Sequence, residues 1–170
     1  MKRILSLALI LLICITVPGC KLLGLEKHSL VAPDEDSMGE SKTFSGDGYS
    51  VTLTDQFVEK DSQMGFDGYY VSEYCGVMVL VEPFSLEEGL EDESIAEYIQ
   101  NVIHNNGQDA APEEKDGLTY YKYYRGGNVG WNFAYKGSDA FYLVQFICVE
   151  AHESKLSNAV FTFAESVAVR

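Results

Sequence analysis

Two runs of apolar residues set the strongest limit on how this chain can fold. Residues 77–81 read Val-Met-Val-Leu-Val, and residues 140–149 read Ala-Phe-Tyr-Leu-Val-Gln-Phe-Ile-Cys-Val. Successive side chains of a β-strand point to opposite faces of the sheet, so a strand that is apolar in both alternating sets needs a cover on each face. The sequence therefore predicts two inner strands, buried on both sides of one sheet.

Two segments have the spacing of helices that could provide those covers. The first begins with Ser94 and Glu97, which are spaced as in a capping box, and apolar residues then recur at helical intervals. The second places Leu156, Val160 and Phe163 on one side of a helix. Further strands are predicted at residues 49–53, 66–74, 118–124, 131–136 and 166–169. The predicted fold class is α+β, a mainly antiparallel sheet covered by helices in a three-layer α/β/α sandwich.

The N-terminus has the pattern of an export signal. Lys2 and Arg3 precede an apolar run that is too short to span a bilayer comfortably, and the run ends at residues 17–20, Val-Pro-Gly-Cys. This ending resembles a bacterial lipobox, in which lipid is attached to the cysteine. It predicts a signal peptide at residues 1–19, a lipidated Cys20 with a flexible tether at 20–42, and a folded domain at 43–170. An ordinary secreted protein or an uncleaved anchor is the alternative.

Lipid on Cys20 would hold the domain on the extracytoplasmic side of a bacterial membrane, as a cell-envelope protein. The formal net charge of the chain is −14, and the acidic residues are spread along it. Such a surface repels the phosphates of nucleic acid and of anionic lipid. The expected partners are therefore the membrane, reached through the lipid alone, and a protein or peptide, with nucleic acid excluded.

Two cysteines, Cys75 and Cys148, lie in the predicted domain. Outside the cytoplasm they could form a disulfide, but spacing alone does not establish the geometry that a disulfide needs. Two small thiols, buried or half-buried, are an interpretation at least as good. No cysteine or histidine grouping has the spacing of a zinc site, so no metal ligand is predicted.

The candidate binding surface is aromatic. Tyrosines and other rings occupy both alternating phases of neighbouring predicted strands, and they cannot all be deep core unless every hydroxyl finds a partner. Tyr121, Tyr123 and Trp131 are therefore predicted to line an exposed groove suited to a peptide or a sugar. The alternative is that these rings cover a half-buried sheet face.

No catalytic or cofactor motif is found, and no catalytic residue or cofactor is predicted. The leading hypothesis is a lipid-anchored envelope domain that binds a protein or peptide partner. A small-ligand or glycan binder that uses the aromatic surface is the alternative, and an enzyme without a recognisable motif is a third hypothesis.

The order of elements supports a resemblance. The chain has an opening Gly-Tyr-Ser-Val-Thr-Leu at residues 48–53, a capped helix after two strands, a tyrosine-rich meander, and a closing Phe-x-Phe-Ala-x-Ser-Val-x-Val at 161–169. It resembles the Mog/PsbP-like proteins, which include DcrB-like bacterial lipoproteins. The resemblance implies an antiparallel sheet between helices and a role in binding, and it carries no functional residue to this chain.

Overall fold

The computed structural model describes residues 38–61 and 65–170. The predicted signal peptide, Cys20 and most of the tether lie outside the described residues. The strands are β1 Ser41–Ser45, β2 Tyr49–Thr54, β3 Val58–Glu59, β4 Gly68–Val71, β5 Cys75–Pro83, β6 Glu113–Lys115, β7 Leu118–Arg125, β8 Asn128–Lys136, β9 Ala140–Val149 and β10 Ala168–Val169. The helices are α1 Ile95–Asn105 and α2 Glu153–Glu165. Neither helix is long and apolar enough to cross a membrane, and this holds for every helix of the described residues.

The strands form two antiparallel sheets. The large sheet has seven strands in the order β3-β4-β5-β9-β8-β7-β6, and the small sheet has three in the order β1-β2-β10. The two apolar runs lie in β5 and β9, which pair with each other in the interior of the large sheet. The prediction of inner strands is therefore confirmed, and so is the mainly antiparallel α+β class.

Both faces of the inner strands of the large sheet are buried, each in its own apolar cluster. Along β5, Val77 and Val79 belong to one cluster, whereas Met78 and Leu80 belong to the other. The first cluster also contains the apolar side of α2 and side chains of the small sheet. The second contains the apolar side of α1. This division follows from the alternation of side chains along a strand.

Helix α1 begins where the sequence predicts. The Ser94 Oγ accepts a hydrogen bond from the Glu97 N–H at 3.2 Å, and Glu97 Oε2 accepts one from the Ser94 N–H at 2.9 Å. This capping box satisfies two backbone donors that the helix itself cannot use. Tyr98, Ile99 and Ile103 are buried and hold the helix against the large sheet.

The folded domain starts slightly before residue 43. Met38 is only 6% exposed and lies in the first apolar cluster, and β1 begins at Ser41. The last residues of the predicted tether are therefore part of the domain. The closing strand β10 pairs with β2 in the small sheet, so the two ends of the described chain meet there.

Candidate functional site

The three predicted site aromatics are buried. Tyr121, Tyr123 and Trp131 expose 0%, 7% and 2% of their surface. Trp131 lies in the cluster beneath α2, while Tyr121 and Tyr123 lie in the cluster beneath α1. The prediction that they line one exposed groove is wrong, because alternate residues of β7 and β8 enter two separate cores. The hypothesis of an aromatic surface that binds a sugar depended on these three exposed rings, so it loses its support.

The exposed aromatic on these strands is Tyr124, which is 51% accessible. Its hydroxyl donates to the two carboxylate oxygens of Glu153 at 3.0 and 3.1 Å. Lys122 Nζ lies 2.8 Å from Glu153 Oε1, and this hydrogen bond is the main reason that the pKa of Lys122 is raised. The three side chains connect β7 to the first turn of α2. Tyr124 is the last residue of the strand predicted at 118–124, and this terminal position was the available signal for its exposure.

A buried pair of amides crosses the centre of the sheet. Asn132 and Gln145 face each other in β8 and β9, and their side chains expose 0% and 2%. Gln145 Nε2 donates to Asn132 Oδ1 at 2.8 Å and to the Tyr123 hydroxyl at 3.1 Å. Among the described residues, Asn132 Nδ2 and Gln145 Oε1 have no hydrogen-bond partner. The pattern of the sequence identifies Gln145 as a polar interruption, but not its pairing with Asn132.

The amide pair allows a double-mutant test. We expect Gln145→Met to lower the free energy of unfolding by about 1–3 kcal/mol, because the Asn132 carbonyl oxygen would lose its donor in an apolar core. Adding Asn132→Leu should recover most of that loss, since no amide then remains buried. Urea unfolding of the four proteins gives the coupling energy. Strictly additive losses would contradict the interpretation.

The Tyr123 ring lies against Gly130, its partner residue in β8. A Cβ at position 130 would lie 2.3 Å from Tyr123 Cε1, whereas a Cβ at Gly76 in β5 would have no heavy atom within 4 Å. We expect Gly130→Ala to lower the free energy of unfolding by about 1–3 kcal/mol through overpacking. Gly76→Ala is the matched control and should change it by less than about 0.5 kcal/mol. Equal unfolding midpoints for the two variants would contradict this explanation.

An acidic segment, residues 87–93, precedes α1 with the sequence Glu-Glu-Gly-Leu-Glu-Asp-Glu. Beside it, Leu86 is 49% exposed. Lys136 Nζ donates to the backbone oxygens of Glu91 and Glu93 at 2.6 and 2.7 Å, so β8 holds this segment in place. Within the described part of the chain, no three acidic, cysteine or histidine side chains are grouped as a metal site.

Glu82 is a partly buried carboxyl near this segment. Tyr98 donates a hydrogen bond to it, which favours its ionised form. Burial acts in the opposite direction and is the larger effect, and the charges of Glu87 and Glu93 add to it, so the pKa of Glu82 is raised. Ionisation of Glu82 therefore opposes folding, and this cost disappears as the pH falls below the ordinary pKa of a glutamate.

Cys75 and Cys148 face each other across β5 and β9. Each is 1% exposed, and the structure contains both as thiols with their Sγ atoms 3.0 Å apart. Burial is the main reason that the pKa of the Cys148 thiol is raised, and the hydrogen bond to Cys75 adds to it. The sequence leaves open whether the two cysteines meet, and the structure brings them into contact.

The comparisons with known proteins identify the fold. No family model matches the sequence, and neither does any curated protein. The solution structure of cyanobacterial PsbP (CyanoP) from Synechocystis sp. PCC 6803 matches with a TM-score of 0.55 and 14% identity, covering 83% of this chain and 99% of that one. A crystal structure from Bacteroides thetaiotaomicron VPI-5482 matches with a TM-score of 0.54 and 9% identity, covering 78% of this chain but only 49% of that one. The chain therefore has a PsbP-like α+β fold.

Proposed function

We propose that this protein is a lipid-anchored domain of the bacterial cell envelope that binds a protein or peptide partner with a basic surface. The observation that carries the proposal is the location of the charge. Residues 1–37 contain four acidic and four basic side chains, so the whole formal charge of −14 belongs to residues 38–170. A compact domain with this charge attracts basic surfaces and repels anionic lipid.

The proposed anchor rests on the Val-Pro-Gly-Cys ending at residues 17–20, and the same charge supports it. An acidic body gains nothing from the headgroups of an anionic membrane, so attachment has to come from elsewhere. Lipid on Cys20 can provide it, because each buried methylene contributes about 0.8 kcal/mol and two or three acyl chains hold stably. The residues between Cys20 and β1 then set how far the domain can reach from the membrane.

The proposal also includes the arrangement of helices and sheets in three layers. A helix on one face of the large sheet, with a helix and the small sheet on the other, supports a three-layer α/β/α sandwich of Mog/PsbP-like type. Proteins with this fold share no common chemistry, so the fold supports a binding role only as a class of behaviour. No observation favours the glycan-binding alternative.

Cross-linking followed by affinity capture from native membranes tests the proposal. We expect the wild-type protein to recover a basic partner, less of it at higher salt, and Cys20→Ala to move from the membrane fraction to the soluble fraction. Failure to capture any partner would contradict the binding role. Tight membrane binding of Cys20→Ala would contradict the lipid anchor.

Two triple variants with equal net charge locate the contact. One neutralises the acidic segment with Glu88→Gln, Glu91→Gln and Asp92→Asn. The other neutralises scattered exposed carboxylates with Glu59→Gln, Asp109→Asn and Glu114→Gln. Greater loss of capture in the first places the partner at the acidic segment, whereas equal losses indicate attraction by the whole surface.

A further inference from the structure

The two cysteines of the domain occupy a position that suits a covalent bond. They are 73 residues apart in sequence, yet the strand register sets them directly opposite each other, and their sulfurs are 3.0 Å apart in the first apolar cluster. Both side chains therefore point to the same face of the sheet. A contact between the two sulfurs needs only a small movement to become a bond.

The backbone around Cys75 defines the type of strand pair. The Cys75 N–H donates to Ser72 Oγ at 3.1 Å, and its carbonyl oxygen accepts from the Ser72 N–H at 2.9 Å. Both backbone groups thus turn toward Ser72 and away from β9. Opposite residues of this kind form a non-hydrogen-bonded pair, whose Cα atoms lie about 4.5 Å apart and whose side chains approach closely. That separation falls within the roughly 4.4–6.8 Å that a disulfide spans.

We infer that Cys75 and Cys148 become joined by a disulfide bond whenever the chain folds in the presence of a disulfide donor. The thiolate of one cysteine attacks the disulfide of the donor and forms a mixed disulfide. The thiolate of the second cysteine then attacks the cysteine sulfur of that mixed disulfide and displaces the remaining donor sulfur, so the donor leaves as a dithiol or, for glutathione, as two separate thiols. The pair loses two electrons and two protons, and the donor disulfide is reduced.

Burial determines when this reaction takes place. Each cysteine is 1% exposed in the folded domain, so neither a donor nor a reductant reaches the sulfurs once both faces of the sheet are covered. The bond must therefore form while β5 and β9 are pairing, before α2 closes over them. Once formed, it should resist reduction until the domain unfolds.

The test uses the mature protein extracted in detergent from its own membranes. Alkylation in denaturant without reductant should modify neither Cys75 nor Cys148, and reduction should make both reactive. Trypsin should release residues 61–115 and 137–155 joined together, and reductant should separate them. In the control variant Cys75→Ala, Cys148 should be alkylated directly and no joined peptide should appear.

The result for the extracted protein also rests on the proposed envelope location, because that location determines whether the cell supplies a disulfide donor. A second experiment tests disulfide formation independently of location. The extracted protein is reduced, unfolded and refolded with oxidised and reduced glutathione. Recovery of the joined peptides supports the inference, and two free thiols after refolding would overturn it. A bond that forms on refolding but is absent from the extracted protein supports the geometry and contradicts the proposed envelope location.

Discussion

Replacing Trp131 with alanine should lower the free energy of unfolding by about 3–5 kcal/mol. The indole is 2% exposed and lies opposite Phe146 of β9, in the cluster that α2 and the small sheet cover. Removing the indole would leave a cavity between β9, α2 and the small sheet, and these elements cannot move together enough to fill it. Urea or thermal unfolding of the extracted protein measures the loss.

Tyr124→Ala is the matched control for this prediction. Tyr124 is 51% exposed, and its hydroxyl bonds only at the surface, so its removal should cost less than about 1 kcal/mol. If Trp131→Ala unfolded at the wild-type midpoint, the ring would not belong to the core. The comparison thus separates a packing role for Trp131 from a role on a binding surface.

Reduction of the Cys75–Cys148 bond should lower the free energy of unfolding by about 4 kcal/mol on the chain-entropy model. The large effect follows from the 73-residue separation of the two cysteines, because a bond across a long loop removes many conformations from the unfolded chain. Unfolding curves recorded with and without reductant measure the difference, since the folded packing is nearly the same in both.

The double variant Cys75→Ala and Cys148→Ala controls for effects of the reductant itself. Its unfolding curve should not respond to reductant, although its midpoint should lie below that of the oxidised protein. A wild-type midpoint that is also insensitive to reductant would contradict the predicted stabilisation.

Local patterns in the sequence predict much of the fold. The apolar runs of β5 and β9, the capping box at Ser94 and the apolar side of α2 each depend on residues close in sequence, and each is confirmed. Periodicity shows which side of an element is apolar. It does not show which other element covers that side.

The incorrect and missing predictions all depend on contacts between distant segments. The small sheet is completed when β10 pairs with β2, more than a hundred residues away, and no local pattern specifies that pairing. Tyr121 is suited to both a core and a surface, since its ring is apolar and its hydroxyl polar. The contact of Cys75 with Cys148 likewise depends on strand register, which spacing in the sequence does not reveal.

The amide pair of Asn132 and Gln145 also affects how β8 and β9 find their alignment. A slip of one residue would turn every side chain of one strand to the opposite face and would leave each amide alone among apolar groups. Misalignment therefore costs more free energy in this hairpin than in one made only of apolar residues, because apolar side chains leave no polar group unpaired when the register shifts. The two amides therefore specify the register of β8 against β9, because only the correctly aligned hairpin lets them pair with each other.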